Sequence, residues 1–207
     1  MAQIKFQSRE ALQPGSSYEQ PFELLAACHE RVERSLDLLQ RLVQHLQTAA
    51  VDAATRDAAT DVLRYFNTAA PLHHEDEERH VFALLEQGAD APLQDVCARL
   101  RDDHVRIDAQ WQVLASLLRS LCAQPDGAAV PALQARLARE SDRFVQLHAQ
   151  HLALEQTLVF PAAQARVDAS GLLAMGQEMA ARRGLRLSAA APAAPAPSGP
   201  TRPARPR

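Results

Sequence analysis

Residues 93–121 read LQDVCARLRDDHVRIDAQWQVLASLLRSL. Within them Leu93, Cys97, Leu100, His104, Ile107, Trp111, Leu114, Leu118 and Leu121 follow one another at intervals that alternate between four and three. A helix turning once per 3.6 residues lays such positions along one stripe. Alternation sustained over this length marks the seam of a helical bundle. His104 stands in that seam where a leucine is expected, so the pattern turns an imidazole toward the interior.

The same reading extends in both directions. A first helix is expected over about 21–47, with the seam Leu25, His29, Val32, Leu36, Leu39, Val43 and Leu46. A second, about 52–87, has the inward line Val62, Phe66, Ala70, His73, Glu77, Val81 and Leu84, and Pro71 is expected to kink or unwind it just before the histidines. The seam of residues 93–121 belongs to a third, about 92–124. A fourth, about 130–160, carries Leu133, Leu137, Phe144, His148, His151, Glu155 and Leu158 inward, with Pro161 ending or kinking it. A fifth, about 170–183, has Leu172, Leu173, Met175 and Met179 and stops at Gly184. Only 4% of the chain is aromatic and it has seven glycines, as suits helices. The expected fold is all-α: an up-down-up-down four-helix bundle with a short fifth C-terminal helix. Residues 1–20, with the turn signal Pro14-Gly15-Ser16-Ser17, form an N-terminal extension; 21–184 form the bundle and C-terminal helix; 185–207 form a disordered Ala/Pro-rich tail.

One histidine falls on each of the four long helices: His29, His73, His104 and His151. On the second and fourth a glutamate follows four residues later, Glu77 and Glu155, one turn on and on the same face. With antiparallel neighbours these positions lie roughly 12–21 Å from one common end of the bundle. Buried carboxylates need compensating charge, and no Lys or Arg lies nearby on the inner lines. A pair of divalent cations resolves this, the carboxylates bridging and the histidines filling terminal positions. A borderline ion such as iron suits mixed nitrogen and oxygen donors. His74 and Glu78 repeat the spacing of His73 and Glu77, which fall better on the seam. His148 is a further ligand or a residue that orients one; His80 belongs on the flank and His45 on the surface near the opposite end. Glu75, Asp76, Glu78, Asp102 and Asp103 read as solvated helix faces, and Trp111 and Tyr65 as packing. Two Glu-x-x-His motifs, the mark of a ferritin-like bundle, are not found; only Glu77–His80 has that spacing.

The net charge of −3 gives no bulk attraction to nucleic acid or membrane. No run of about 18 apolar residues occurs, and the start lacks the apolar stretch of a signal peptide. The three cysteines, Cys28, Cys97 and Cys122, are widely spaced and read as reduced, buried thiols. A soluble cytoplasmic protein is expected, a monomer or weak homodimer with no nucleic-acid or membrane partner.

His29, the segment His73-His74-Glu75-Asp76-Glu77-Glu78 followed by Val81-Phe82, Asp103-His104, and His151 to Glu155 followed by Leu158-Val159-Phe160-Pro161 together resemble the hemerythrin-like, HHE cation-binding domain family over about residues 22–162. In both His–Glu segments a phenylalanine falls five residues after the glutamate, which favours the pair His73–Glu77. The resemblance implies two iron ions in a non-haem di-iron centre held by His29, His73, Glu77, His104, His151 and Glu155, reacting with dioxygen, nitric oxide or peroxide. Oxygen-carrying members have a histidine where this chain has Asp108, and an aspartate five residues after the fourth-helix histidine where this chain has Glu155 at four. The pattern is therefore closer to the bacterial His, His-x3-Glu, His, His-x3-Glu branch. The expected function is binding or sensing of a small diatomic ligand or peroxide; the alternatives are a di-iron enzyme acting on peroxide or nitric oxide, or an iron-handling protein.

Overall fold

A computed structural model describes residues 17–88 and 90–186. The expected N-terminal extension up to residue 16 and the Ala/Pro-rich tail beyond residue 186 lie outside the described residues.

The described chain is helical, with no strand among those residues. Helix α1 is Pro21–His45, opened by a proline whose missing N–H costs nothing in a first turn. Helix α2 is Ala53–Asp76, continued by a widened π-helical turn Glu77–Phe82 and a last α turn Ala83–Glu86. Asp52 caps its start by accepting from the Thr55 N–H at 2.7 Å. Helix α3 is Ala91–Cys122. Helix α4 is Pro131–Leu154, continued by a second π turn Glu155–Val159 and the segment Phe160–Gln164. Helix α5 is Ala169–Arg182; Gly184, at φ 71°, supplies the left-handed residue after its end.

The two prolines act differently from expectation. Helix α2 passes Pro71 as regular helix, the proline sitting on the exposed face. The widening begins six residues later, at Glu77. Pro161 neither ends its helix nor follows a plain α turn; a π turn stands directly ahead of it. Each π turn inserts one residue into the helical period. The inward line therefore slips by one beyond each glutamate. Leu85 is buried where Leu84 was expected, and Val159 is fully buried while Leu158 is 40% exposed. On α5 Met175 and Met179 face inward as expected, but Leu173 is exposed.

Helix α1 packs on α2 and α4, and α3 packs on the same two, while α5 lies against α1. The apolar interior falls into two clusters. One holds Val32, Leu36, Phe66, Trp111, Leu118 and Phe144. The other holds Leu25, Phe82, Leu100, Val159, Phe160 and Met179. Along every long helix the histidines fall between residues of one cluster and residues of the other, so a buried polar layer separates them. No helix of the described residues is long and apolar enough to cross a membrane.

Asp76 is fully buried, contrary to the solvated face expected for it. Its carboxylate accepts from the Arg182 guanidinium, and from Arg183 at 2.7 Å, both at the end of α5. This clamp fastens α5 to α2 one residue from Glu77. At Gly176 the chain before α1 comes so close that a Cβ would meet the Tyr18 carbonyl oxygen at 1.7 Å, so no side chain fits there.

Candidate metal centre

The seam positions of four helices converge on one layer. His29, His73, Glu77, His104, His151 and Glu155 are all buried there, between 0% and 5% exposed. His29 Nε2 lies 3.2 Å from Glu77 Oε1 and 3.2 Å from Glu155 Oε2. His73 Nε2 lies 3.1 Å from Glu77 Oε1. On the other side His151 Nε2 lies 3.2 Å from Glu155 Oε1, and His104 Nε2 lies 3.5 Å from Glu77 Oε2 and 4.0 Å from Glu155 Oε1. The two Nε2 atoms of His104 and His151 are 3.1 Å apart. Each carboxylate thus turns one oxygen to the His29/His73 pair and the other to the His104/His151 pair.

Donor atoms around one ion with bonds about 2.1 Å long sit about 3.0–3.4 Å from one another. Most spacings within each group match that range. The hydrogen bonding points the same way. Glu77 Oε2, both Glu155 oxygens and His73 Nε2, atoms that face the layer, are buried with no hydrogen-bond partner among the described residues. So many orphaned buried acceptors in one layer are costly unless a cation meets them. Two groups of the layer, His29/His73/Glu77 and Glu77/His104/His151/Glu155, each gather donor atoms tightly enough for one ion. The residues fit a pair of cations.

Electrostatics agree. Burial, then the neighbouring Glu155 carboxylate, pushes Glu77 well above its ordinary range. Glu155 is buried too, but the His151 and His29 rings beside it hold it well below its own. Burial, then the His29 ring, holds His73 well below the ordinary imidazole value, so it offers a lone pair. The nearest thiol by sequence, Cys28, is pushed up to about 11 by burial and is no thiolate at neutral pH. All three cysteines are free.

Partners around the layer orient it. His104 Nδ1–H donates to Glu78 Oε1 at 2.7 Å, which leaves the lone pair on Nε2, facing the layer. Glu78 is in turn gripped by Arg101 at 2.9 Å, and Arg101 also binds Glu86 at 3.1 Å. Glu78, expected on a solvated face, is therefore a positioning residue. Phe160 stacks on His29 at 4.9 Å between centroids, and Phe82 on His104 at 5.6 Å.

The remaining histidines sort themselves. His74, left open by the sequence, stacks face to face on His104 at 4.0 Å with 10° between planes. His148 is buried among Phe66 and Phe144, its Nδ1–H donating to the Phe144 carbonyl at 3.0 Å, and it joins neither donor group. His80 pairs with Glu178 of α5 at 2.6 Å. His45 is half-buried rather than on the surface, with Asp52 at 3.7 Å. Trp111 packs in the core as expected, its indole N–H donating to Asn67 Oδ1 at 3.0 Å.

A cavity of about 380 Å³ opens between α2 and α3 on the His104 side. Phe66, Pro71, His74, Ile107 and Trp111 line it, with Glu78 and Asp108 at its polar edge.

A family model described as "Hemerythrin HHE cation binding domain" matches residues 20–163. An uncharacterized protein of Haemophilus influenzae is 31% identical over 171 residues, covering 83% of this chain and 94% of that protein.

Proposed function

The chain belongs to the hemerythrin HHE cation-binding domain family, and from that premise we propose that it is a non-haem di-iron protein that binds or senses dioxygen, nitric oxide or peroxide. The observation that carries this reading is the division of each carboxylate: one oxygen of Glu77 and of Glu155 faces the His29/His73 pair, the other the His104/His151 pair. We read the four long helices, joined by short connections and each packed on two others, as an up-down-up-down bundle built around this layer.

When bound, an iron pair supplies two-electron redox chemistry toward such small molecules. The chain's residues do the rest. His29 and His73 would hold one cation and His104 and His151 the other, with Glu77 and Glu155 offering an oxygen to each side. Phe82 and Phe160 cover the layer on its apolar side and restrict water. Glu78, steadied by Arg101, keeps the His104 lone pair aimed inward. The cavity gives a small molecule a path to the edge of the layer at His74 and His104. We assign the protein to the cytoplasm, as a monomer or weak homodimer.

Anaerobic loading with ferrous iron, metal analysis, and optical spectra after adding air, peroxide or nitric oxide test the proposal. We expect two irons per chain and a new visible absorption on adding at least one of the three. A chain that retains two zinc ions and shows no redox response refutes it.

A further inference from the structure

We propose that the cavity between α2 and α3 is a binding site for a small amine with an apolar, ring-sized body, held with that body inward and its ammonium at the mouth. The assignment goes beyond the metal reading and does not rest on which cation the buried layer holds.

Size is the first ground. The cavity measures about 380 Å³, more than ten times the roughly 30 Å³ share of a molecule the size of water. A diatomic or a peroxide leaves most of it unfilled, whereas pockets for organic ligands begin at about 300 Å³. Its deep wall is apolar, formed by Phe66, Ala70, Ile107, Trp111 and Phe144, each between 0% and 5% exposed. The Phe66 and Trp111 rings lie 5.0 Å apart and tilted by 40°, an arrangement against which a further ring packs well. At the opening the apolar wall continues as Val105, which is 70% exposed. An apolar body that enters there removes Val105 from water.

Charge is the second ground. Three carboxylates border the cavity, Glu75, Glu78 and Asp108, with no lysine or arginine among its lining residues. An anion entering it meets only like charge. Two of the carboxylates are already matched: Glu75 pairs with Arg79 and with Arg182, the latter at 3.3 Å, and Glu78 with Arg101 at 2.9 Å. Asp108 is different. It is exposed, accepts only from the Gln112 side-chain amide at 3.3 Å, and has no cationic partner among the described residues. One unmatched carboxylate at the rim suits one positive charge. Because Asp108 is exposed while the rings are deep, the ammonium stays at the water-facing rim and the body points inward.

The test uses the full chain with 2-phenylethylamine, an ammonium ion at neutral pH, and with 3-phenylpropionate, of similar shape and opposite charge. Ligand-observed NMR reads binding. Trp111 is the chain's single tryptophan, so its emission reads the place of binding. We expect the amine to bind saturably and to change the Trp111 emission, and the carboxylate to bind far more weakly. In Asp108→Asn, an exposed substitution checked for unchanged helicity, amine affinity should fall by about fivefold, the upper range for a solvated ion pair. No amine binding, equal affinity for the two probes, unchanged affinity in Asp108→Asn, or binding that leaves the Trp111 emission untouched each overturns the assignment. None of these readouts depends on metal, so a failure here leaves the two-cation reading standing, and the reverse holds as well.

Discussion

The half from α1 to the end of α2 and the half from α3 to the end of α4 are built alike around the buried histidine–glutamate layer. Each is a helical hairpin with one histidine on its first helix and a histidine–glutamate pair on its second. Each glutamate begins a π turn, and each is followed five residues later by a phenylalanine. The phenylalanines cross over: Phe82 of the first half stacks on His104 of the second, and Phe160 of the second on His29 of the first. What the halves share is the histidine and glutamate donors of the buried layer. What they do not share lies in the residues around each histidine–glutamate pair. His74 stands against Leu152, Asp76 against Leu154, and Glu78 against Gln156. In the first half those three positions carry a ring stacked on His104 at the cavity, a clamp for α5 and a brace for His104; in the second none of these jobs is done. Symmetry here belongs to coordination, and asymmetry to access and anchoring.

The largest test of the shared part is removal of a bridge. Glu77→Ala and Glu155→Ala should each lose both cations, because each carboxylate serves both groups, whereas His29→Ala should lose one. Metal analysis after gel filtration reads this directly. The melting gain on metal loading, about 4 kcal/mol at a thousandfold excess over Kd, should vanish in both glutamate variants. A glutamate variant that keeps one ion would break the equivalence of the bridges.

The crossed phenylalanines come next. Phe82→Ala and Phe160→Ala should each destabilise the chain by about 3–5 kcal/mol in urea unfolding, as for large aromatic truncations in cores. Similar losses sharpen the comparison; a loss under about 1 kcal/mol at either position would break it.

The clamp is the first clear difference. Asp76→Ala should cost about 2–3 kcal/mol, less than a fully dry ion pair because Arg182 and Arg183 are partly exposed. Limited proteolysis should then cut in or before α5. The counterpart Leu154→Ala should leave α5 docked.

The smallest effect is one of pH. Burial holds His148 down to about 4, whereas an unfolded imidazole titrates near 6.5. The unfolded chain therefore takes a proton in that window that the folded chain refuses, and stability falls as pH drops from 6.5 toward 4. At pH 5 the metal-free protein should have lost about 2 kcal/mol more than the variant His148→Leu, relative to pH 7. Equal slopes for the two proteins would show that His148 is protonated in the folded state. His148 has no histidine counterpart in the first half: three residues before His73 stands Ala70.

Most of the helices and the convergence of six side chains on one buried layer were legible because a seam position is a statement about direction, and His29, His104 and their partners sit in unbroken seams. The sequence misled beyond each glutamate. A constant period placed Leu84 and Leu158 inward, but the π turns hand those places to Leu85 and Val159. Nothing in residue type marks such an insertion. Pro71 drew attention to the wrong turn, since whether a proline disturbs a helix depends on the face it occupies. Asp76 and Glu78 were read as solvated because their partners, Arg182, Arg183 and Arg101, lie far along the chain. The seam and the phenylalanine spacing favour His73 over His74, but nothing in the sequence shows the stack of His74 on His104.

The close approach at Gly176 joins two stretches that are remote in the chain, the turn before α1 and the body of α5. Since Tyr18 rests on a backbone with no side chain in between, and the same helix grips Asp76, the polypeptide is buckled like a belt just outside the metal layer. A protease that frees either end of the buckle loosens the other, so trimming at the front and trimming at the back become one and the same event.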